Sequence, residues 1–518
     1  MLLADLVATS AAVAATRSRK SKTAALAERL AVATPDELEV VTSYLAGSLL
    51  QRRTGLGWRS LATLPEPADA PTLTVAEVDA AFDRMAALSG PGSAAARTAA
   101  AEQLFGRATA DEQAWLRGIV TGEVRQGALD SLVQEALAAA AGVPLTAVRR
   151  AAMLAGSTVA VAARAFAGED ALDEVGLEVG RPVLPMLASS APTVAEAVAK
   201  VGGPVAVDTK LDGIRIQVHR AGDDVVVATR TLDDITHRLP EVVDLVRSLP
   251  ADRLVLDGEA ISIGDDGRPR PFQETASRTA TRDGSGVRVS AYFFDLLHRD
   301  GRDLHDEPLS ERLAELDDLV PEASRVARVM TEDPATAEDF AADVLRAGHE
   351  GVVVKSLAAP WEAGRRGAGW IKVKPVHTLD LVVLAVEWGS GRRRGWLSNI
   401  HVGARDPGTG GFVMLGKTMQ SPQMTEGWVP VGKTFKGMTD EMLAWQTERF
   451  QELKIDDNGW VVTVRPEQVV EIAFDGVQRS SRYAGGVALR FARVVRYRED
   501  KSPAEADTIQ TLQAMLGP

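Results

Sequence analysis

The chain has no cysteine among its 518 residues. That absence excludes disulfides, thiolate nucleophiles and cysteine-ligated zinc, and it fits a reducing compartment. No apolar run approaches the length of a membrane span. The opening MLLADLVATSAAVAA has no positive n-region and carries Asp5, and its basic residues Arg17, Arg19, Lys20 and Lys22 follow it. It therefore reads as a first helix rather than a signal peptide, and the expected location is cytoplasmic, with no membrane partner. Positive charge is also short, with a formal net charge of −13. A surface of that sign disfavours general polyanion binding but leaves room for a local basic track. H-E-x-x-H and Gly-x-Ser-x-Gly elements are missing as well.

What is present is an ordinary globular composition, 45% hydrophobic and 25% charged, long enough for about three domains. Residues 1–180 are rich in Ala and Leu at helical spacing, with helix starts at Thr34-Pro-Asp-Glu37 and Thr74-Val-Ala-Glu77. An all-α domain is expected there. Two stretches, Gly47 to Gly55 and Gly118 to Gly127, place glycines beside Arg53 and Arg125. Either phosphate contact or a plain helix–helix turn accounts for them. Gly180-Arg-Pro-Val-Leu-Pro185 reads as a linker, and residues 181–377 alternate strands with helices in an α+β texture. Residues 378–518 offer about five strands and one helix (Thr439–Leu453), which suggests a small β-barrel of the oligonucleotide-binding type.

The stretch Val205 to Arg220 carries the sharpest chemistry. Period-2 alternation puts Asp208 and Lys210 on one strand face, Leu-Asp-Gly at 211–213 breaks it, and a second alternation begins at Ile214. A lysine between a carboxylate and Arg215 is a candidate nucleophile, and the same residues also fit an ordinary hairpin with a solvated lysine. Downstream, Asp257 and Glu259 share a face of an apolar strand, a costly setting unless they meet a cation or metal. Tyr292-Phe-Phe294-Asp295 sets aromatics on a strand, for core packing or for stacking on a base. Glu350-Gly-Val-Val-Val-Lys355 and Trp370-Ile-Lys372-Val-Lys374 follow, with Arg365 and Arg366 just upstream of the latter. Near the end, Arg479, Arg482, Arg490, Arg493, Arg496, Arg498 and Lys501 form a basic run opposed locally only by Glu499 and Asp500. A polyanion track or a set of paired arginines would both produce it. Gly411 to Thr418 and Gly427 to Thr434 match P-loop spacing, but their bulky β-prone interiors argue against a phosphate cradle.

The set and its order resemble the covalent nucleotidyltransferases, and specifically the ATP-dependent DNA ligases, over most of the chain. The resemblance implies a helical DNA-binding domain (1–180), an adenylation domain (181–377) and an OB-fold domain (378–518). Lys210 then matches the residue that becomes AMP-bound, and Asp208 and Arg215 match nucleotide contacts. Arg230 resembles a ribose or phosphate contact, Glu259 a ribose or metal contact, and Phe294 the adenine-stacking aromatic. Glu350 matches a metal-binding carboxylate, while Arg366, Lys372 and Lys374 resemble phosphate-facing cations. Arg498, Asp500 and Lys501 resemble the closing motif that orients pyrophosphate. ATP as AMP donor, Mg²⁺ and nicked double-stranded DNA are the implied partners, acting on a monomer. NAD-dependent ligases are disfavoured because they carry a cysteine zinc site. An RNA-capping or RNA-joining enzyme and an inactive DNA-end-binding scaffold are the alternatives.

Overall fold

The computed structural model describes residues 1–51, 53–124, 126, 130–264, 267–270, 272, 274–276, 288–362, 366–389, 393–408, 411–414, 430–434, 438–481, 483 and 485–516. For 366–368, 411–414 and 430–434 only the backbone is described. The chain forms two compact units, Met1–Val373 and Lys374–Pro518. No helix among the described residues is long and apolar enough to cross a membrane.

The first unit opens with ten α-helices among the described residues: α1 (Leu3–Ala15), α2 (Arg19–Ala31), α3 (Leu38–Leu45), α4 (Val75–Ala87), α5 (Ser93–Gly106), α6 (Ala110–Val120), α7 (Asp130–Ala141), α8 (Leu145–Ala155), α9 (Ala162–Ala167) and α10 (Glu169–Asp173). Their starts follow from local chemistry. At Thr74 and Thr109 the side chain caps the helix, and Glu77 and Glu112 reach back to the cap backbone at 2.9 and 2.8 Å. Thr34 and Glu37 make the same box on a short 3-10 turn. α1 buries one stripe, with Leu3, Leu6 and Val13, while α3 is buried nearly all round. The apolar core so formed is continuous with Val255, Leu297, Trp361 and Trp370 of the following region.

Two five-stranded sheets complete this unit. One has the order β1 (Leu187–Ser190), β10 (Arg366–Val373), β9 (Gly351–Ser356), β2 (Val205–Lys210) and β8 (Arg328–Thr331). The other has the order β4 (Asp224–Thr229), β3 (Ile214–Ala221), β5 (Arg253–Ser262), β6 (Val289–Arg299) and β7 (Arg302–Asp303). On the first sheet Val205, Val207, Val352, Val354 and Ile371 pack against α11 (Val194–Val201) and α14 (Pro334–Arg346). On the second, Ile216, Val218, Leu256 and Phe293 pack against α12 (Pro240–Ser248) and α13 (Leu309–Leu319). Alternation sends the intervening residues of both sheets to the opposite faces, among them Asp208, Lys210, Arg215, Asp257 and Glu259.

One expectation is corrected here. Val205 to Arg220 is not a hairpin, because β2 pairs with β8 and β9 while β3 pairs with β4 and β5. Leu211-Asp-Gly213 instead carries the chain from one sheet to the other. Gly213 is required there by a close approach. A Cβ would lie 2.2 Å from Ile261 Cγ2 and 2.4 Å from the Ala260 carbonyl oxygen.

The second unit is built on the long strand β11 (His377–Trp388), which pairs with β12 (Leu397–Asp406), β16 (Val461–Val464) and β17 (Val469–Phe474). β13 (Gly411–Met414) and β14 (Pro430–Thr434) flank β12, β15 (Lys454–Asp457) flanks β16, and β20 (Arg493–Arg498) flanks β17. β18 (Gly476–Arg479) and β19 (Val487–Arg490) make a separate ribbon. Phe450 of α15 (Asp440–Glu452) enters the core, as does Leu512 of α16 (Ile509–Ala514). Among the described residues these pairings do not close into a ring, so the unit is a helix-packed sheet domain and a closed barrel is not seen. Gly432, Lys433 and Thr434 lie in β14, in ladder with β12, which is not the loop a phosphate cradle needs. The first Gly-Lys-Thr, at 416–418, lies outside the described residues.

Candidate active site

The two sheets of the first unit meet through their side chains, as Arg215 of β3 lies 5.6 Å from the Trp370 ring of β10. Lys210 ends β2, and its Nζ lies 2.5 Å from Glu350 Oε2. Both come from the same ladder, since Lys210 is in register with Gly351 and its carbonyl accepts from the Glu350 N–H at 3.2 Å. From the second sheet, Arg215 stands opposite Glu259 in the β3–β5 ladder. The Glu259 carboxyl is pushed up to about 7 by burial, with Lys210 and Arg215 opposing that shift and Asp257 adding to it. Lys210 thus touches Glu350 and acts on Glu259 through its charge.

Arg215 is held firmly. Its guanidinium grips Asp257 through two bonds of 3.0 and 2.6 Å and donates to the Met186 carbonyl at 2.6 Å. It also lies 5.6 Å from the ring centroids of both Phe294 and Trp370. Those two rings meet edge to face at 5.8 Å. Phe294 and Trp370 thus lie side by side next to Arg215.

Asp208 lies beneath this surface rather than on it. Its Oδ2 is 2.6 Å from Lys355 Nζ, and both side chains are almost wholly buried. Lys355 Nζ sits 4.4 and 4.3 Å from the Phe294 and Trp370 centroids, so one cation touches both rings and one carboxylate. Lys355 closes the stretch that begins at Glu350, and the resemblance assigns it no role. The signal was there, since period 2 puts Val353 and Lys355 on the face opposite Val352 and Val354. A further pair, Asp295 and Arg312, is fully buried at 2.7 Å and fixes the strand next to Phe294.

The other expected residues are distributed as follows. Lys372 is half-buried on β10, on the same alternation as Trp370, with Ile371 and Val373 on the core face. Arg366 begins that strand, and its side chain and Arg365 lie outside the described residues. Arg230 is exposed in the turn after β4. Lys374, Arg498 and Lys501 belong to the second unit. There Lys374 pairs with Asp475 at 3.7 Å. Arg498 and Lys501 both reach Asp380, at 3.2 and 2.5 Å, and Arg498 also grips Asp500 at 2.7 Å.

Four members of the basic run near the C-terminus are paired with acids, as the second of the two readings left open by the sequence would have it. Arg493 pairs with Asp475 at 3.0 Å and Arg496 with Glu471 at 2.7 Å, in addition to the Arg498 and Lys501 pairs. These acids come from β17 and the turn after it and from β11, distant in sequence. Arg482 lies outside the described residues. In the helical region Gly47, Gly55 and Gly122 all have positive φ, as turns require, and Arg53 is exposed. Arg125 and Gly127 lie outside the described residues.

Three family models match the chain in order: the DNA ligase N terminus at 59–138, the ATP dependent DNA ligase domain at 185–374, and the ATP dependent DNA ligase C terminal region at 393–501. A protein named Probable DNA ligase from Nocardioides sp. (strain ATCC BAA-499 / JS614) is 69% identical over 523 residues, covering 100% of this chain and 99% of its own. Another of that name, from Kineococcus radiotolerans, is 65% identical over 99% of this chain and 100% of its own. The solved structure Pmar-Lig_PreS3 shares the fold at a TM-score of 0.62 and 17% identity, over 95% of this chain and 99% of that one. With relatives this close over its whole length and all three models in their expected order, the chain belongs to the ATP-dependent DNA ligases.

Proposed function

We propose that this ligase seals nicks in duplex DNA through a phosphoramidate on Lys210. One observation supports the reading: Lys210 Nζ lies 2.5 Å from the Glu350 carboxylate and acts on Glu259 through its charge. In the first step Nζ forms a bond to the ATP α-phosphorus, the bond to the bridging oxygen breaks, and pyrophosphate leaves. A 5′-phosphate oxygen at the nick then attacks the AMP phosphorus, and the P–N bond breaks to regenerate Lys210. Finally the 3′-hydroxyl attacks the 5′-phosphorus, joining the strand and expelling AMP. Attack requires the Nζ lone pair, so the Lys210–Glu350 ion pair must exchange as ATP binds.

The donor set fits Mg²⁺. No group of three His, Asp or Glu side chains that could hold a metal occurs among the described residues. Mg²⁺ needs no such cage, because it is commonly bound by one or two carboxylates together with substrate phosphates. Glu259 and Glu350 would supply those carboxylates, and the ion would neutralise charge developing on the phosphates. Lys372 and Arg366 are assigned to the phosphates, Phe294 to the adenine ring, and Asp208, Arg215 and Arg230 to nucleotide contact or its support. From the second unit Lys374, Arg498 and Lys501 are assigned to the triphosphate. The functional domains are 1–180 for DNA, 181–377 for adenylation and 378–518 for an oligonucleotide-binding fold, in a cytoplasmic monomer.

The test is to incubate the protein with α-labelled ATP and then with nicked duplex. Label is expected first on the protein, then on the DNA 5′-phosphate, with sealed product at the end. Stable label on Lys210→Ala would defeat the assignment. Labelling by GTP in preference to ATP would favour a capping-type enzyme.

A further inference from the structure

A second cavity lies in the helical region, in sequence far from Lys210 and its partners. It is a groove of about 700 Å³ between α1 and α6, lined also by Glu123, Val124 and Gln126. One wall is a small-residue side of α1, with Ala4 and Val7 half-buried and Ala8 and Ala11 exposed. The other wall is polar but poorly satisfied. Glu112 is only 1% exposed. Its Oε2 accepts from the Thr109 N–H and hydroxyl at 2.8 and 3.0 Å, while its Oε1 has no partner. Trp115 and Gln126 are more than nine-tenths buried as well, and the indole Nε1 and the amide Oε1 are likewise unpartnered.

The charge of the lining is one-sided. Asp111, Glu112 and Glu123 border the groove, and no lysine or arginine among the described residues does. Lys22 donates to the Gln126 carbonyl at 2.8 Å but is not part of the lining. Low-dielectric walls concentrate the field of such a cluster within the cleft. An anion is repelled, and a purely apolar occupant leaves Glu112 Oε1 and Gln126 Oε1 without donors. A cation bearing N–H groups supplies both acceptors, its apolar stem lies along the alanines, and an adjacent carbonyl takes the indole N–H.

We propose that the α1–α6 groove is a binding site for a guanidinium or ammonium group on an apolar stem. The chemistry is common to small cationic metabolites and to an arginine or lysine side chain presented by a protein. Two probes distinguish these sources: agmatine, and the neutral-ended peptide acetyl-Ala-Leu-Arg-Ala-amide. Isothermal titration into the full-length protein is expected to give saturable binding of at least one, with butanol as the uncharged control showing none. Tighter binding of the peptide identifies a side-chain source, and tighter binding of agmatine a free cation.

Glu112→Gln separates charge from structure, because glutamine also completes a capping box and the α6 start is kept. That variant is expected to weaken binding at least tenfold with its thermal unfolding unchanged. Ala8→Phe, on the exposed face of α1, is expected to block the groove and abolish binding with its thermal unfolding unchanged. Absence of saturable binding by either probe, or equal binding by wild type and Glu112→Gln, overturns the proposal.

Discussion

Lys355 Nζ and Asp208 Oδ2 stand 2.6 Å apart with 2% and 3% of their side chains exposed, Asp208 on the strand that ends in Lys210 and Lys355 on the neighbouring strand. Two charges without water hold their places only because each neutralises the other, and removing one strands its partner. Breaking such a buried pair costs about 3–5 kcal/mol, whereas replacing both members by apolar groups is often neutral. Lys355→Met is therefore expected to lower the unfolding free energy by about 3 kcal/mol or more, and Lys355→Met with Asp208→Leu to recover most of it. Urea denaturation of the three proteins checks this. A single variant as stable as wild type would mean that Asp208 finds another partner.

Gly213 turns the chain from the first sheet to the second. Its missing side chain is a geometric requirement, since the added Cβ of Gly213→Ala would meet a backbone oxygen at 2.4 Å and not merely the movable Ile261 methyl. The expected outcome is a loss of about 1–3 kcal/mol in stability. Lys210 would also shift against Glu259, lowering adenylate formation at least tenfold. Ile261→Val in the same chain should fail to restore either, because the Ala260 carbonyl remains.

What could be read from the sequence, and what could not, divides along a physical line. Period 2 placed Asp208 with Lys210 and Asp257 with Glu259 on shared faces, and the capping pairs at Thr34 and Thr74 marked real helix starts. Periodicity assigns a face but not the sheet a strand joins, so the parting of β2 and β3 was invisible. The same blindness made the C-terminal arginines look unopposed, because Asp380, Glu471 and Asp475 reach them only through the strand ladder. Closure of a barrel is likewise a property of pairing between distant strands.

His219 supplies a pH dependence. Burial, followed by the charge of His298, lowers its pKa from 6.5 to about 4, and its ring accepts the Gly180 N–H at 3.1 Å through Nδ1. The folded state thus keeps the ring neutral where the unfolded chain binds a proton. Between pH 6.5 and 4 the unfolded state holds more protons, so stability falls as the pH is lowered through that window. The loss approaches about 3 kcal/mol at the bottom of the range. Urea midpoints at pH 7 and pH 5 should differ accordingly, and His219→Gln should flatten that part of the difference. An unchanged slope in the variant would assign the effect to other groups.

Asp380 gathers the cations proposed to orient pyrophosphate. Arg498 Nη1 and Lys501 Nζ lie 3.2 and 2.5 Å from its Oδ2. Its own backbone is fixed by a reciprocal exchange with Asp507, whose side chain accepts from the Asp380 N–H at 2.8 Å. The return bond, from the Asp507 N–H to the Asp380 carbonyl, is also 2.8 Å. A rigid carboxylate that holds two flexible side chains together reduces the order they must acquire on meeting a triphosphate. Asp380→Asn removes the charge and keeps the shape. It is expected to slow adenylation of Lys210 by about tenfold, a loss of about 1.4 kcal/mol in barrier terms. Sealing of a nick that already carries AMP should be unaffected, because no pyrophosphate is involved. Single-turnover measurements of the two steps make the separation. Faster adenylation in the variant would give Asp380 the opposite role, a carboxylate that withholds Arg498 and Lys501 from ATP.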